Sequence, residues 1–288
     1  MSSVDILELF AQSDFTFNME TMMNLVFLEY VSRKQEIRNI YDHGAIPQNL
    51  IKLYYSRDVN HSDFKNIISN FKDEYLNEES ELENIHSKEE IEGLGEAYDY
   101  IRSDDWQKCP NIYMILEINL KLFSKTPHPE AGGKFRNSNS YMRGSGINVI
   151  PYNQISTEIC KLYKNFEDLL NEGIELGRYN NVENEDNLIK YIDKCLKLKC
   201  KLIEIHPFQD GNGRTMRALV NLLFKLAGLP PIYVKLSEKE NYLKAMNKAI
   251  IDKNYSYINK FYYYKICDSI LELDVNRRIN NNKKLIRK

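Results

Sequence analysis

The sequence predicts an all-α helical bundle that carries one short β-hairpin. Apolar residues recur with helical spacing through most of the 288 residues. Gly and Pro contribute only 12 and 8 residues, so turns are few and the elements between them are long, unlike those of a β-sandwich. The hydrophobic fraction of 43% and the charged fraction of 28% are typical of a folded globular chain and not of a disordered one.

Charge and segment composition exclude several classes of protein. The net charge of −2 gives no basic field for nucleic acid or an anionic membrane. No segment approaches the roughly 18 apolar residues of a transmembrane helix, and the acidic N-terminus does not resemble a signal peptide. The five cysteines form no CxxC pair, which favours a reducing compartment. We therefore expect a cytoplasmic protein without a membrane or nucleic-acid partner. The abundance of Lys, Asn, Ile and Tyr suggests an AT-rich bacterial genome. The sequence is compatible with a homo-oligomer.

The first half of the chain predicts three helical stretches. A helix over about 19–40 would place Met22, Met23, Val26, Phe27, Tyr30 and Val31 on its inner side. The acidic stretch 72–92 could be a solvated helix or a loose linker, and we favour a helix. Residues 111–124 predict a buried helix that ends before Pro127 and Pro129, because proline removes a donor and forces an extended path.

The amino-acid composition changes at the start of the second half. The Gly-rich segment 132–151 predicts a β-hairpin around Tyr141 and Met142. Helical spacing then returns over 154–172, 185–205 and 213–227, and the last of these ends at Gly228 before two prolines.

The loop between the last two of these helices carries the chemistry. In residues 206–217, HPFQDGNGRTMR, two glycines allow a close backbone approach to a ligand, and the following helix points its free N–H groups at the loop. Arg214 and Arg217 share a face of that helix, where they can bind phosphate oxygens. Asp210 supplies the hard oxygen that Mg²⁺ prefers. His206 can accept a proton near neutral pH.

Each feature alone has a simpler explanation. A histidine before a proline is usually a capping or core residue, a Gly-Asn-Gly loop is usually a turn, and two arginines on a helix are usually solvated. Their occurrence together at this spacing favours a nucleotide-phosphate site with a general base at its rim.

The same twelve residues resemble the HPFx(D/E)GNGRxxR signature of the Fic family, whose members transfer AMP from ATP to a protein hydroxyl. The similarity extends over about 105–265, which implies an N-terminal helical extension over 1–104, a Fic domain over 105–265 and a basic tail over 266–288. The family fold is a helical bundle with a β-hairpin flap over the active-site loop.

The resemblance implies a role for each residue of the signature. His206 would deprotonate the target hydroxyl, and Asp210 would hold Mg²⁺ on the ATP phosphates. Arg214 would contact the β-phosphate and Arg217 the γ-phosphate. The remaining nucleotide contacts would come from the anion hole and a tyrosine near adenine, namely Gly211, Asn212, Gly213 and Tyr242.

The resemblance also implies a flap that docks the target. The run from Gly133 to Arg136 resembles the family's entry into this hairpin. The flap would pair its backbone with an extended segment of a target protein, or of this protein itself, and place a Tyr, Ser or Thr beside His206. The expected docking residues are Asn139, Ser140, Tyr141, Met142 and Arg143.

Many family members carry an inhibitory helix with the pattern (S/T)xxxE(G/N), whose glutamate pairs with the second arginine of the signature. Ser32 and Glu36 match this pattern, although Ile37 stands where Gly or Asn is usual. The resemblance thus predicts that Glu36 contacts Arg217. A competing candidate around Glu92 has Lys88 in place of Ser or Thr.

Protein adenylyl transfer is the leading hypothesis for function. The same fold also leaves open removal of AMP, transfer of another nucleotide or of phosphocholine, and kinase-like transfer. A non-catalytic nucleotide-binding regulator or toxin component is the remaining alternative.

Overall fold

The computed structural model describes residues 61–142, 146–178 and 185–286, together with residues 28, 31, 32 and 35. Within the three long ranges the chain forms nine α-helices and no paired strands, which confirms the all-α class. None of these helices is long and apolar enough to cross a membrane. The helices are α1 His61–Glu83, α2 Lys88–Arg102, α3 Met114–Phe123, α4 Ile155–Lys161, α5 Tyr163–Arg178, α6 Glu185–Ile205, α7 Asn212–Leu226, α8 Lys239–Ile251 and α9 Ser256–Ile286.

Helix α7 lies at the centre of the bundle. Its residues from Arg214 to Phe224 are all buried, and it packs against α2, α3, α5 and α6. A helix that is buried on every side occupies a protein core. The N-terminus of α7 therefore emerges from the interior, and the loop that precedes it is surrounded by the ends of several other helices.

Most of the predicted helices are present close to their predicted limits. The predictions over 185–205 and 213–227 correspond to α6 and α7, and the prediction over 111–124 corresponds to α3, which begins three residues later. The prediction over 154–172 corresponds to two helices, α4 and α5, which meet at Leu162.

The acidic stretch 72–92 is helical, as favoured, but it is neither a linker nor a solvated helix. It contains the end of α1 and the start of α2, which meet at residues 84–87. Phe71, Tyr75 and Leu82 of α1 are buried, and α1 packs against α2 and α9. The high charge of the stretch concealed this apolar face.

The predicted strand pair is not formed in the described residues of the Gly-rich segment. Residues 134–142 and 146–150 have no strand pairing and are irregular. Its carbonyls at Ser138 and Ile150 accept hydrogen bonds from the side chain of Arg136 instead, so the ends of the loop are joined without a strand ladder.

The early helix predicted over 19–40 lies mostly outside the described residues. Residues 28, 31, 32 and 35 are helical, as predicted. Val31, however, is 46% exposed and does not lie on a buried side as we expected. Apolar spacing predicts a helix but does not determine whether that helix docks against a core.

Helices α2 and α3 are in close backbone contact at Gly93. A Cβ placed on this glycine would lie 2.2 Å from the carbonyl oxygen of Leu122, which is far inside the contact distance. The glycine of the Glu92-Gly93 candidate is therefore explained by helix packing. Glu92 itself is exposed and pairs with Lys88 on its own helix.

We predict that Gly93→Ala destabilises the protein by about 1–3 kcal/mol, because the added methyl group overpacks the α2–α3 contact. Gly95→Ala on the same helix is the control. A Cβ there has no neighbour nearer than 3.8 Å, and alanine is favoured over glycine in a helix by about 1 kcal/mol. Urea unfolding measures both, and equal stability of the two variants would contradict the prediction.

Candidate functional site

The site loop joins α6 to α7 through two left-handed residues. His206 has φ +52° directly after α6, and Gly211 has φ +75° directly before α7. A non-glycine residue in this region is strained, and such strain is concentrated at functional sites. A Cβ on Gly211 would also lie 3.1 Å from both Asn119 and Phe123, so glycine is required here for conformation and for space.

The loop is closed by the side chain of Asn212. Its amide donates to the carbonyl of Phe208 at 2.8 Å and accepts from the N–H of Phe208 at 2.9 Å. The Phe208 ring is 1% exposed and lies 6.2 Å from the Phe135 ring. Asn212 thus holds the loop through its side chain. Its backbone N–H, with those of Gly213 and Arg214, has no acceptor within the helix and remains for an anion.

Asn119 of α3 ties the loop to its surroundings. This residue is fully buried, and its amide group donates to the Asp210 carbonyl at 3.2 Å and to the Thr215 hydroxyl at 3.1 Å. Its carbonyl oxygen accepts from the N–H of Gly133 at 3.0 Å. One side chain therefore connects the site loop, the first turn of α7 and the start of the Gly-rich segment. Sequence reasoning missed it, since a single polar residue in an apolar helix was its only signal.

Arg136 holds the backbone of His206. Its guanidinium is almost fully buried and donates to the His206 carbonyl at 2.8 Å, to the Ser138 carbonyl at 2.8 Å and to the Ile150 carbonyl at 2.5 Å. Its backbone N–H donates to the Pro207 carbonyl at 2.9 Å. These contacts offset the strain at His206 and attach the Gly-rich segment to the site loop.

His206 is in the neutral form that a general base requires. Burial of the ring and the positive charge of Arg136 lower the pKa of His206 below its ordinary value, and together they outweigh the Ile203 carbonyl and the Asp210 carboxylate. Nδ1 is buried and makes no hydrogen bond within the described residues.

Asp210 and Arg214 face each other at the mouth of the loop. Arg214 donates to the Asp210 carboxylate at 3.0 Å, and the N–H of Gly211 donates to the same carboxylate at 2.6 Å. The Asp210 side chain is 68% exposed, whereas that of Arg214 is 6% exposed and lies over the Phe123 ring. The accessible carboxylate therefore lies beside an arginine and the free N–H groups of α7.

Arg217 binds two carboxylates of α1. Its Nε and Nη2 donate to Glu79 at 2.7–2.9 Å, and Nη2 also donates to Glu83. Burial alone would lower the pKa of Arg217, but the two glutamates raise it well above its ordinary value. Burial opposes ionisation of Glu83, yet Arg217 holds the pKa of Glu83 below its usual range. Arg217 and Glu83 are therefore both ionised at neutral pH.

The C-terminal end of α1 is held by its own capping hydrogen bonds and by α8. Asn84 has φ +57° and follows Glu83, and the N–H of Ile85 donates back to the Ser80 carbonyl, which closes the helix in a Schellman motif. Lys239 donates to the Leu82 carbonyl at 2.5 Å. Glu83 consequently lies in the last turn of a helix with a defined end.

The structure gives the contacts of Arg217 to residues that sequence reasoning did not select. Glu36 lies outside the described residues, so its pairing with Arg217 stays a prediction, and Ser32 is exposed. Glu83 and Asn84 fit the last two positions of the inhibitory pattern, with Glu79 where Ser or Thr is usual. Allowing an acidic residue at that position would have found them.

The remaining residues expected at the site differ in burial and in their contacts. Tyr242 is buried, its hydroxyl lies 2.6 Å from Lys199 Nζ, and its contact with adenine stays a prediction. Asn139 accepts from the N–H of Tyr152, Ser140 is partly buried, and Met142 packs against the core. Tyr141 is 70% exposed. Arg143 lies outside the described residues.

Part of this chain is similar in sequence to known proteins. A sequence model of the Fic/DOC family matches residues 110–224. A protein adenylyltransferase Fic from Nematostella vectensis is 28% identical over 162 residues, which cover 56% of this chain and 34% of that protein. One from Drosophila willistoni is 33% identical over 171 residues, which cover 58% and 31%. The chain thus spans about a third of the length of these relatives.

Two solved structures share the fold at low sequence identity. Fic-1 (residues 134–508) from C. elegans has a TM-score of 0.54 at 16% identity, with 91% of this chain and 75% of that chain covered. A Fic domain-containing signaling protein from Bacteroides thetaiotaomicron has a TM-score of 0.57 at 18% identity, with 87% and 97% covered. These likenesses support the arrangement of helices.

We predict that Asn119→Ala destabilises the protein by about 2–4 kcal/mol, because a buried N–H, a carbonyl and a hydroxyl lose their partner together. Leu120→Ala is the control, since the adjacent Leu120 is 40% exposed. Thermal unfolding of both variants measures the difference. A loss in Leu120→Ala as large as that in Asn119→Ala would show that the contacts of Asn119 do not hold the loop.

Proposed function

We propose that this chain, a member of the Fic/DOC family by its match over residues 110–224, transfers AMP from ATP to a hydroxyl group of a target protein. The observation that carries the proposal is the loop from His206 to Arg217, in which a neutral imidazole lies beside an anion-binding helix N-terminus and buried arginines. Sequence similarity to proteins named protein adenylyltransferase Fic supports the same reaction.

The proposed chemistry follows from the groups in the loop. Neutral His206 accepts the proton of the target hydroxyl, whose oxygen attacks the α-phosphorus of ATP, and pyrophosphate leaves. The backbone N–H groups of 212–214 and the side chain of Arg214 stabilise the phosphate charges. Because the protein forms no covalent intermediate in this scheme, catalysis depends on positioning and charge stabilisation.

Asp210 is the residue that would hold Mg²⁺. Magnesium is usually bound through one or two carboxylates, several waters and the phosphates of the nucleotide, and the exposed Asp210 beside the anion site fits that requirement. The described residues contain no cluster of three acidic, His or Cys ligands, so Mg²⁺ would bind together with ATP. The ion would neutralise phosphate charge when bound.

The exposed segment around Tyr141 is proposed to receive the target. Asn139, Ser140, Tyr141, Met142 and Arg143 follow Arg136, which fixes the segment next to His206. An extended target segment bound there would present its hydroxyl at the imidazole. The proposed target is a hydroxyl group of another protein or of this chain, and the proposed compartment is the cytoplasm.

Labelled ATP tests the proposed function. Incubation of the full chain with Mg-ATP, followed by mass spectrometry, should reveal AMP added to this protein or to lysate proteins. The label of [α-³²P]ATP should be transferred and that of [γ-³²P]ATP should not. His206→Ala should abolish transfer and retain ATP binding, because the imidazole is not a phosphate ligand. Transfer of the γ label, or ATP binding without any transfer, would contradict the proposal.

We further infer that Glu83 lowers the rate of AMP transfer without abolishing it. Its carboxylate binds Arg217, which is expected to receive the γ-phosphate, and a Cβ on Gly213 would lie 3.2 Å from a Glu83 oxygen. A carboxylate in this place repels phosphate and occupies its donor. The sequence assigns this role to Glu36, whereas the contacts of Arg217 support Glu83.

We predict that Glu83→Ala raises the rate of AMP transfer about tenfold or more, since a charge-assisted hydrogen bond worth about 1.5–3 kcal/mol no longer competes with ATP. Glu81→Ala, an exposed residue of the same helix, should leave the rate unchanged. Initial rates with [α-³²P]ATP measure the effect. Activation by Glu36→Ala, without activation by Glu83→Ala, would contradict this assignment.

The pH dependence of the activated variant reports on His206. Because the pKa of His206 is lowered in the folded protein, its neutral form persists below pH 6.5. The acid limb of kcat/KM should therefore have its midpoint below pH 6.5. Stability should decline as pH falls from about 6.5 toward the folded pKa, since the unfolded histidine binds its proton first. The exposed His128 provides the control, because His128→Gln should leave the limb in place. A midpoint at or above 6.5 would contradict the prediction.

A further inference from the structure

The two carboxylates that bind Arg217 differ in their surroundings. The Glu79 side chain is 1% exposed, whereas the Glu83 side chain is 34% exposed and lies in the last turn of α1. Both point the same way because residues four apart share a face of a helix. One carboxylate is therefore enclosed with the guanidinium, and the other can exchange with a ligand from solvent.

The two carboxylates also use different parts of the guanidinium. Glu79 accepts from Nε and Nη2, which form the side edge of the group. Glu83 accepts from Nη2 alone. Nη1 faces the loop, because a Cβ on Gly213 would lie 3.0 Å from it. If Glu83 leaves, Nη1 and Nη2 form a free edge at the phosphate loop, while Glu79 still holds the opposite side.

Charge gives a second distinction. The formal charge of Arg217, Glu79 and Glu83 together is −1, and without Glu83 it is zero. If Glu79 were removed as well as Glu83, Arg217 would attract phosphate more strongly but would be free to rotate. Removing Arg217 would leave Glu79 buried without a partner, which is strongly unfavourable.

We propose that Glu79 is a positioning residue that holds Arg217 with its Nη1–Nη2 edge toward the phosphate loop, while Glu83 alone exchanges with the nucleotide. The kinetic part of this inference rests on the proposed function, whereas the geometric part does not. Glu79 is thus a support for catalysis and not a second inhibitory group, although both glutamates bind the same arginine.

The arginine Nε–H signals in ¹⁵N–¹H spectra test the geometry without any reaction. The Arg217 signal is identified by its loss in Arg217→Lys. It should keep its position in Glu83→Ala, with and without Mg-ATP, because Glu79 continues to accept from Nε. It should disappear or move in the double variant Glu83→Ala/Glu79→Gln. Loss of the signal in Glu83→Ala alone would overturn the proposal, whether or not the chain transfers AMP.

Kinetics in the activated background separate positioning from inhibition. Relative to Glu83→Ala, the double variant with Glu79→Gln should bind ATP at least as tightly, because positive charge is gained, while kcat falls about tenfold through misplacement of the γ-phosphate. Glu83→Ala/Glu81→Gln makes the same charge change at an exposed position and should leave kcat unchanged. A rise in kcat would show that Glu79 inhibits, and a parallel loss of ATP binding and thermal stability would show a structural role only. Either result would overturn the proposal.

Discussion

A guanidinium inside a helical bundle needs compensation for its charge, and the way Arg217 meets this need fixes much of the arrangement around it. Its side chain is 6% exposed, and Glu79 provides a carboxylate that is buried with it. Breaking such a buried pair costs about 3–5 kcal/mol. The pair attaches α1 to the second turn of α7, so the N-terminal part of the described chain and the nucleotide loop are held in one structure.

The loop itself is shaped by side chains that take no part in the proposed chemistry. Asn212 closes it from within, Asn119 connects it to α3, and Arg136 binds the carbonyl of the strained His206. Arg136 is buried as Arg217 is, but the partners found for its guanidinium are carbonyl oxygens rather than a carboxylate. Its positive charge lowers the pKa of the nearby His206 imidazole. Structure and protonation are thus set by the same contact.

Sequence reasoning identified the loop and the central helices because their signals are local. Glycines, a proline and helical spacing lie within a few residues of the groups that they position. It did not find the observed contacts that join distant parts of the chain. Glu79 and Glu83 stand 138 and 134 residues before Arg217, in a stretch whose charge suggested exposure, and Asn119 looks like one polar residue in an apolar helix. The Gly-rich segment has the composition of a hairpin, but its carbonyls at Ser138 and Ile150 accept from the Arg136 side chain rather than from a partner strand.

The position of Asn84 determines how little of the molecule has to move to release Arg217. Because the helix ends before Asn84, Glu83 belongs to its terminal turn. Terminal turns fray more readily than the turns before them. Glu79, one turn earlier and enclosed, stays in place when that turn opens. Unwinding of this turn would break the Lys239 contact with the Leu82 carbonyl and expose the buried Leu82 side chain, and it would free one side of Arg217 while Glu79 stays bound.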